Sequence, residues 1–157
     1  MAVVIRQFAG FIRRYPLLIR LPYIVYRRFQ PRYTIGVVGV LINNSGQILI
    51  VEHVLHPENP WGLPGGWIGK NEEPADAVVR ELKEELQLDA TVKNVIYIRK
   101  PSRNHIDIAF LCEASNTVGT LSHELLDYQW VAPDELPSLN IFHKAAINSA
   151  LNNLHRS

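Results

Sequence analysis

The chain has almost no cysteine: Cys112 is the only one among 157 residues. A disulfide framework needs at least two cysteines, so a disulfide-stapled secreted fold is excluded and a reducing, cytoplasmic location is expected. Cys112 ends an apolar run and has no second cysteine near it, so we interpret it as a buried core thiol. The six histidines are scattered and show no zinc-binding spacing.

Long uncharged runs are also missing. No uncharged stretch reaches the roughly 18–20 residues that a membrane-spanning helix requires. No uncharged segment is followed by a small-residue cleavage site, so we do not expect a secretory signal. The first 33 residues contain no Ser or Thr, which argues against a mitochondrial presequence although the segment is rich in Arg.

Acidic residues are absent from the first 33 positions, and this absence divides the chain. Residues 1–33 carry seven Arg and a charge of +7, whereas residues 34–157 carry nine basic and fifteen acidic residues and a charge of −6. We therefore predict a basic amphipathic arm over residues 1–32 and a separate domain over residues 33–157. Apolar residues recur in the arm at helical spacing, at Val4, Phe8, Phe11, Ile12 and Tyr15.

The arm allows three interpretations from sequence. An amphipathic helix of this kind packs on its own domain, forms a homodimer interface, or lies on an anionic membrane surface. Nucleic acid is the least favoured partner, because only the arginines point to it. A cytoplasmic protein that associates with membranes through residues 1–32 is therefore one of the outcomes that the sequence leaves open.

From residue 33 onwards the pattern is that of a mixed α/β domain large enough to bury one core. The turn Asn43–Gly46 lies between two β-branched segments and predicts a hairpin between them. We predict strands over residues 33–43, 47–54, 91–99, 105–112 and 127–132, and helices over residues 74–87 and 139–154.

The predicted helix at residues 74–87 carries a cluster of carboxylates. At about 100° per residue, Glu81, Glu84 and Glu85 share an arc of about 100°. Like charges at this spacing repel on an ordinary surface helix, whereas a hard divalent cation such as Mg²⁺ binds carboxylate oxygens and often phosphate oxygens as well. The same wheel predicts a core-facing stripe of Ala75, Val79, Leu82 and Leu86 and a solvated edge that includes Arg80.

The stretch from residue 66 to residue 88 resembles the signature of the Nudix hydrolases, a glycine followed at fixed spacing by a glutamate and an Arg-Glu-aliphatic-x-Glu-Glu motif. Eight positions match: Gly66, Glu72, Arg80, Glu81, Leu82, Glu84, Glu85 and Leu88. Gln87 departs from the pattern, because the family usually has glycine there. A glycine just past a helix commonly ends it in the left-handed conformation, so we expect Gln87 to affect the helix end and not the chemistry.

The resemblance implies an α/β/α sandwich around a mixed β-sheet and a metal-dependent reaction. It implies that Glu81, Glu84 and Glu85 bind Mg²⁺ or Mn²⁺ and that water attacks a phosphorus atom of a diphosphate. Gly65 and Gly66 lack side chains, so their backbone N–H groups are predicted to approach the phosphates.

Three further residues enter through the same resemblance. Arg80 is expected to pair with Glu72 and to order the loop that precedes the helix. Glu124 occupies the place where related hydrolases carry an extra metal ligand or the general base. The catalytic base is therefore either Glu81 or Glu124, and an exposed loop acid remains the alternative for Glu124.

The implied substrate is a nucleoside diphosphate derivative: a nucleoside triphosphate, a dinucleotide or a nucleotide sugar. Trp61, His53 and Asn140 are the predicted substrate-binding residues, although Trp61 also suits a core and Asn140 also suits a helix N-cap. Two other functions stay open from sequence: a ligand-sensing module that keeps the fold without turnover, and an interaction protein recruited to a membrane or partner by its arm.

Overall fold

A computed structural model of the protein describes residues 5–6, 10 and 13–154, without the side chain at position 18. The chain divides into two compact units, Met1–Arg32 and Tyr33–Ser157. Within the described residues, no helix is both long and apolar enough to cross a bilayer.

The first unit contains helix α1, Leu17–Arg28. Its last turn carries Arg27 and Arg28, and Pro22 lies inside it. Every side chain described in residues 13–32 is exposed to solvent. The predicted helical positions Val4, Phe8, Phe11 and Ile12 lie outside the described residues.

The second unit contains seven strands and two helices. The strands are β1 Thr34–Leu41, β2 Ile48–His53, β3 Trp61–Gly62, β4 Gly65–Trp67, β5 Ala90–Ser102, β6 His105–Ala114 and β7 Leu125–Val131. The helices are α2 Pro74–Leu86 and α3 Ile141–Leu154. All five strands and both helices predicted from sequence are present within a few residues of the expected bounds. The short strands β3 and β4 were not among the predicted strands.

The strands form two sheets. One has four strands in the order β4-β1-β6-β5, and the other has three in the order β3-β2-β7. The predicted hairpin between the first two long strands is wrong, because β1 pairs in parallel with β6 and antiparallel with β4, while β2 pairs with β3 and β7. An isolated bridge between Ile42 and Ile48 is what remains of that hairpin.

Helices α2 and α3 cover opposite faces of the layer that the two sheets form. Along β1, Val37 and Leu41 belong to a core cluster that includes Leu82 of α2, whereas Val40 belongs to a cluster that includes Phe142 of α3. Successive side chains of a strand point to opposite faces, so one strand supplies both cores. The predicted α/β/α sandwich is confirmed.

Helix α2 begins and ends as its sequence suggests. Pro74 occupies the first helical turn, where its missing N–H costs nothing. Gln87 adopts the left-handed conformation with φ 56° and ψ 27°. Its N–H donates to the Lys83 carbonyl and the Leu88 N–H donates to the Leu82 carbonyl, which is the Schellman arrangement that usually uses glycine. The non-glycine residue therefore takes the glycine conformation, at a cost of about 1 kcal/mol.

The buried face of α2 is wider than the predicted stripe. Ala77 and Val78 are fully buried, and on the helical wheel they lie on the same side as the carboxylates. The carboxylate face therefore turns toward the β-sheet. Arg80, expected at a solvated edge, is partly buried and fully engaged by carboxylates instead.

Candidate active site

The three carboxylates of α2 differ sharply in exposure. Glu85 is 4% exposed and is the one buried charged residue among the described residues. The side chain of Glu81 is 14% exposed and that of Glu84 is 59% exposed. The helix therefore presents a gradient from a buried carboxylate to a solvated one.

Glu85 is bound to the backbone of β4. The Gly65 N–H donates a hydrogen bond to Glu85 Oε2 at 2.9 Å. The pKa of Glu85 is raised to about 8, mainly by burial and also by the negative charges of Glu81, Glu124 and Glu84, against the opposing effect of the Gly65 hydrogen bond. A cation that approaches Glu85 would favour the ionised form of this carboxyl group.

Two glycines, Gly65 and Gly66, allow β4 to pack closely against β1 and α2. Gly65 has φ +149°, and a Cβ there would collide with the carbonyl oxygen of Val37 and lie 2.7 Å from the Cα of Val38. A Cβ on Gly66 would overlap the carboxylate of Glu81. Side chains at either position would thus separate β4 from β1 or from α2. This is where the structure places the two glycines predicted to face phosphate.

Arg80 uses all five of its N–H donors. Nε and Nη2 donate to the two oxygens of Glu72 at 2.8 and 3.1 Å, and Nη2 also donates to the Trp67 carbonyl at 3.1 Å. Nη1 donates to Glu81 Oε1 and Glu84 Oε2, both at 3.0 Å. These bonds, led by those to Glu72, raise the pKa of Arg80, which stays charged.

Glu72 completes the loop that precedes α2. Its Oε2 also accepts the Gly69 N–H at 2.7 Å. The Arg80 hydrogen bonds, and then the Gly69 bond, lower the pKa of Glu72. The bidentate pair fixes the loop 69–73 to the helix, so Arg80 and Glu72 position the carboxylates and do not line the cavity themselves.

Glu124 immediately precedes β7. Its side chain is 61% exposed, and it lines the same cavity as Glu85. Burial is the main reason that the pKa of Glu81 is raised, and the charges of Glu84 and Glu124 add to it, although the Arg80 hydrogen bond opposes the rise. Four carboxylates thus influence one another across this region.

The cavity that Glu85 and Glu124 line, and that Glu81 and Glu84 do not, has a volume of about 730 Å³, within the usual range for small-molecule sites. The segment Leu63–Trp67 runs along it. In chain order, the Leu63 N–H donates to His143 Nδ1 at 3.2 Å, the Gly65 N–H donates to Glu85, and the Trp67 ring lies 5.0 Å from the ring of His105. One extended segment therefore connects three chemically different parts of the cavity.

The first part of the cavity contains three histidines. His53 ends β2, and its ring lies 5.1 Å from that of His56. Burial lowers the pKa of His143 to about 4 and is also the main reason that the pKa of His53 is lowered. Because His143 Nδ1 accepts the Leu63 N–H, the neutral ring carries its proton on Nε2 and offers one donor.

Two predicted substrate-binding residues take different positions. Asn140 lines the cavity, but its Oδ1 accepts the His143 N–H at 2.8 Å and caps α3. Trp61 does not line the cavity and packs, partly buried, against the core cluster of α3. Its contact with the substrate stays a prediction. Trp61 pairs with Glu52 on β2, and this pairing turns its ring into the core.

Several cavity residues were not predicted from sequence, and four of them lie on neighbouring strands. Trp67, Gly36, Asp107 and Arg99 form one row across β4, β1, β6 and β5. Trp67 is 61% exposed, and Asp107 Oδ1 lies 2.7 Å from His105 Nε2. Only the exposed Trp67 next to the glycine pair carried a signal, because the other three meet through strand pairing distant in sequence.

The donor set fits a hard divalent cation. All the candidate ligands, Glu81, Glu84, Glu85 and Glu124, provide oxygen, and a cation would relieve the repulsion that raises the pKa of Glu85. Over residues 5–6, 10 and 13–154, no three acidic, histidine or cysteine side chains yet converge on one point. Arg80 lies between Glu81 and Glu84 at the site instead, so metal binding requires these side chains to rearrange.

The raised pKa of Glu85 predicts a pH dependence of stability in the presence of EDTA. A carboxyl group whose pKa is about 8 in the folded state and 4.5 as a model value stabilises the fold below pH 4.5, and that stabilisation is lost as the pH rises through 8. We expect the free energy of unfolding to fall by roughly 2–4 kcal/mol from this group between pH 5 and pH 8.5. Urea titrations across this range measure it.

Glu85→Gln is the matched variant, because its neutral side chain does not titrate. The lowered pKa values of His53 and His143 act below pH 6.5 in both proteins and cancel in the difference. Stability curves that run parallel for the two proteins from pH 5 to pH 8.5 would contradict a protonated, buried Glu85.

Comparison with known proteins places the chain. The model of the NUDIX domain matches residues 32–150. A MutT-like protein of Streptomyces ambofaciens is 29% identical over 107 residues, covering 68% of each chain. The NAD-capped RNA hydrolase NudC of Pectobacterium carotovorum is 30% identical over 71% of this chain, but only 44% of its own length is matched.

Solved structures agree. An ADP-ribose pyrophosphatase from Streptococcus suis superposes with a TM-score of 0.65 at 26% identity, covering 79% of this chain and 92% of that one. The match includes the glycines, the loop and the carboxylate helix described above, since residues 32–150 contain all of them. The chain therefore belongs to the Nudix family, and it is a Nudix pyrophosphohydrolase.

Proposed function

We propose that the protein hydrolyses a nucleoside diphosphate linked to a second moiety, with Mg²⁺ or Mn²⁺ as the metal. The observation that carries this proposal is the buried Glu85 carboxylate, which the Gly65 N–H holds at the middle of a cavity with a different set of side chains on each side. Named relatives that act on an ADP-ribose and on an NAD cap support a substrate of this kind.

The residues divide the work by position. Glu85, Glu81 and Glu84 would hold the metal, and Glu124, which lines the same cavity as Glu85, would add a fourth carboxylate. When bound, the metal neutralises phosphate charge and lowers the pKa of a bound water. Gly66 lets the Glu81 carboxylate lie directly against β4, because a Cβ there would overlap that carboxylate. Arg80 and Glu72 keep the loop and helix in register during this reaction.

The choice of general base rests on exposure. Glu124 is 61% exposed and is free of the Arg80 network, so it can accept a proton from water without losing an ion pair with Arg80. Glu81 already accepts from Arg80 Nη1 at 3.0 Å. A base must reach the water it activates and carry little competing interaction. We therefore favour Glu124 as the base and Glu81 as a metal ligand.

The two sides of the cavity suit two different substituents of the diphosphate. The neutral His143 offers an Nε2 donor near Asn140 and Phe142, which suits a nucleobase or ribose. On the other side, the exposed Trp67 offers a stacking surface in the same row of residues as Arg99. A nucleoside triphosphate would occupy only one of these sides, so we expect it to be the poorer substrate.

A substrate panel tests the proposal. Nucleoside triphosphates, dinucleotides and nucleotide sugars are incubated with Mg²⁺, Mn²⁺ or EDTA, and products are separated by ion-exchange chromatography. We expect a two-sided substrate to have a kcat/KM at least tenfold above any triphosphate, and EDTA to abolish turnover. Reaction in H₂¹⁸O identifies the phosphorus that water attacks.

Two results would overturn parts of the proposal. If nucleoside triphosphates are the best substrates, the two-sided substrate is rejected but the hydrolase activity is not. If the parent protein cleaves no substrate class in a metal-dependent way faster than Glu85→Gln does, the proposed function itself is rejected.

A further inference from the structure

Helix α1 exposes an unusual amount of apolar surface. The apolar side chains that the structure describes in this helix are each about half exposed or more, and Phe29, which follows the helix, is 81% exposed. The exposed set is Leu17, Ile19, Leu21, Tyr23, Ile24, Val25, Tyr26 and Phe29. Contiguous apolar patches on soluble proteins commonly mark a surface that a partner or a membrane covers.

Leu21, Tyr23, Val25, Tyr26 and Ile19 of this set lie in one sector of the helix. At about 100° per residue, the sector from Leu21 through Tyr26 to Tyr23 spans about 200° and contains no charge. Arg20, Arg27 and Arg28 lie together in the remaining sector. Leu17 and Ile24 fall between the arginines and narrow the polar face. A wide apolar sector with a compact cationic edge is typical of helices that lie in a membrane interface.

The charge of the whole arm identifies the sign of the partner. Residues 1–33 carry seven Arg and no acidic residue. A second copy of the arm would bring the same positive charges together, and the repulsion would oppose a dimer through this surface. Nucleic acid would pair with the arginines but would leave the wider apolar sector in water. An anionic lipid surface can contact the apolar sector and the arginines of the helix at the same time.

We propose that α1 binds the interface of an anionic lipid bilayer and recruits the hydrolase to it. The apolar sector inserts among the acyl chains near the headgroups, and the arginines bind lipid phosphates. Tyr23 and Tyr26 contribute aromatic rings with polar ends, which favour the headgroup level.

Vesicle flotation of the full chain tests this proposal. We expect the protein to float with vesicles that contain phosphatidylglycerol and phosphatidylcholine, and to stay at the bottom with phosphatidylcholine alone. Raising the salt from 0.05 to 0.5 M should release most of it. The variant Arg20→Gln/Arg27→Gln/Arg28→Gln should bind on the order of 100-fold more weakly, since each arginine near an anionic surface contributes roughly fivefold.

Two further variants make the test specific. Ile19→Gln/Leu21→Gln/Val25→Gln keeps every charge and should also lose flotation, because the apolar sector is removed. Lys93→Gln/Arg103→Gln/Lys144→Gln removes the same charge from exposed positions of the domain and should float like the parent. Hydrolysis of a soluble substrate should be unchanged in all three, which shows that each variant is folded.

Several outcomes would overturn the proposal. Equal binding to neutral and anionic vesicles would remove the role of the arginines. Equal losses of vesicle binding in the arm and domain charge variants would show that the binding depends only on the net charge of the protein. Absence of flotation would reject the membrane proposal. A dimer in light scattering that is lost in the apolar variant would assign the helix to a protein interface.

Discussion

Replacing Glu85 with glutamine lowers kcat by about three orders of magnitude, which corresponds to about 4 kcal/mol of transition-state stabilisation. The glutamine keeps the volume of the side chain, and its amide oxygen can still accept the Gly65 N–H that Glu85 Oε2 accepts now. The variant loses the negative charge that, in the proposed function, holds the metal. We therefore expect lost turnover in a protein that is folded and, in EDTA above pH 7, more stable than the parent. Steady-state kinetics with saturating Mg²⁺ and urea unfolding measure the two effects.

The control for this variant is Glu113→Gln. Glu113 is an exposed carboxylate of β6 that pairs with Lys93 at 2.7 Å and does not line the cavity. We expect its kcat to stay within twofold of the parent, because exposed ion pairs contribute little. A Glu85→Gln enzyme with turnover within threefold of the parent would show that this carboxylate does not hold the catalytic metal.

Replacing Gly65 with alanine destabilises the fold by about 3–5 kcal/mol. The added Cβ would meet the Val37 carbonyl oxygen and lie 2.7 Å from the Val38 Cα, and neither atom can rotate away because both belong to the backbone of β1. The strand β4 would have to move off β1, and Glu85 would lose its hydrogen bond. The midpoint of thermal unfolding should fall by more than 10 °C.

Gly46→Ala separates the two causes of that loss. Gly46 also has a positive φ, +76°, but a Cβ there would meet nothing within 4 Å. It should cost only about 1 kcal/mol, the backbone term alone. Similar losses at the two positions would show that the contact between β4 and β1 is looser than the structure indicates.

The pairing of strands shows where sequence reasoning reaches its limit. The turn at residues 43–46 indicated a hairpin, because a local connection is the simplest way to pair two adjacent β-branched segments. The structure pairs β1 with β6, about 70 residues away, and the parallel register extends from Thr34 to Leu41. A parallel neighbour leaves no local turn signal, so only the tertiary structure could reveal it.

The candidate site was predictable to the extent that it lies on one helix. The spacing of Glu81, Glu84 and Glu85 defines a carboxylate face, since the helical period alone fixes their relative directions. The burial of Glu85 was not predictable, because it depends on which way α2 is rotated against the sheet. Ala77 and Val78 decide that rotation by packing fully buried on the carboxylate side.

The sequence by itself determined the family, the carboxylate helix, the glycine pair and the contrast between a basic arm and an acidic domain. These features are local in the chain, so spacing and composition report them directly. The tertiary structure decided that Trp61 belongs to the core, that Arg80 links Glu72 to Glu81 and Glu84, and that Trp67 shares a row with Arg99. Each depends on residues that are distant in sequence and meet only when the strands pair and the helices pack.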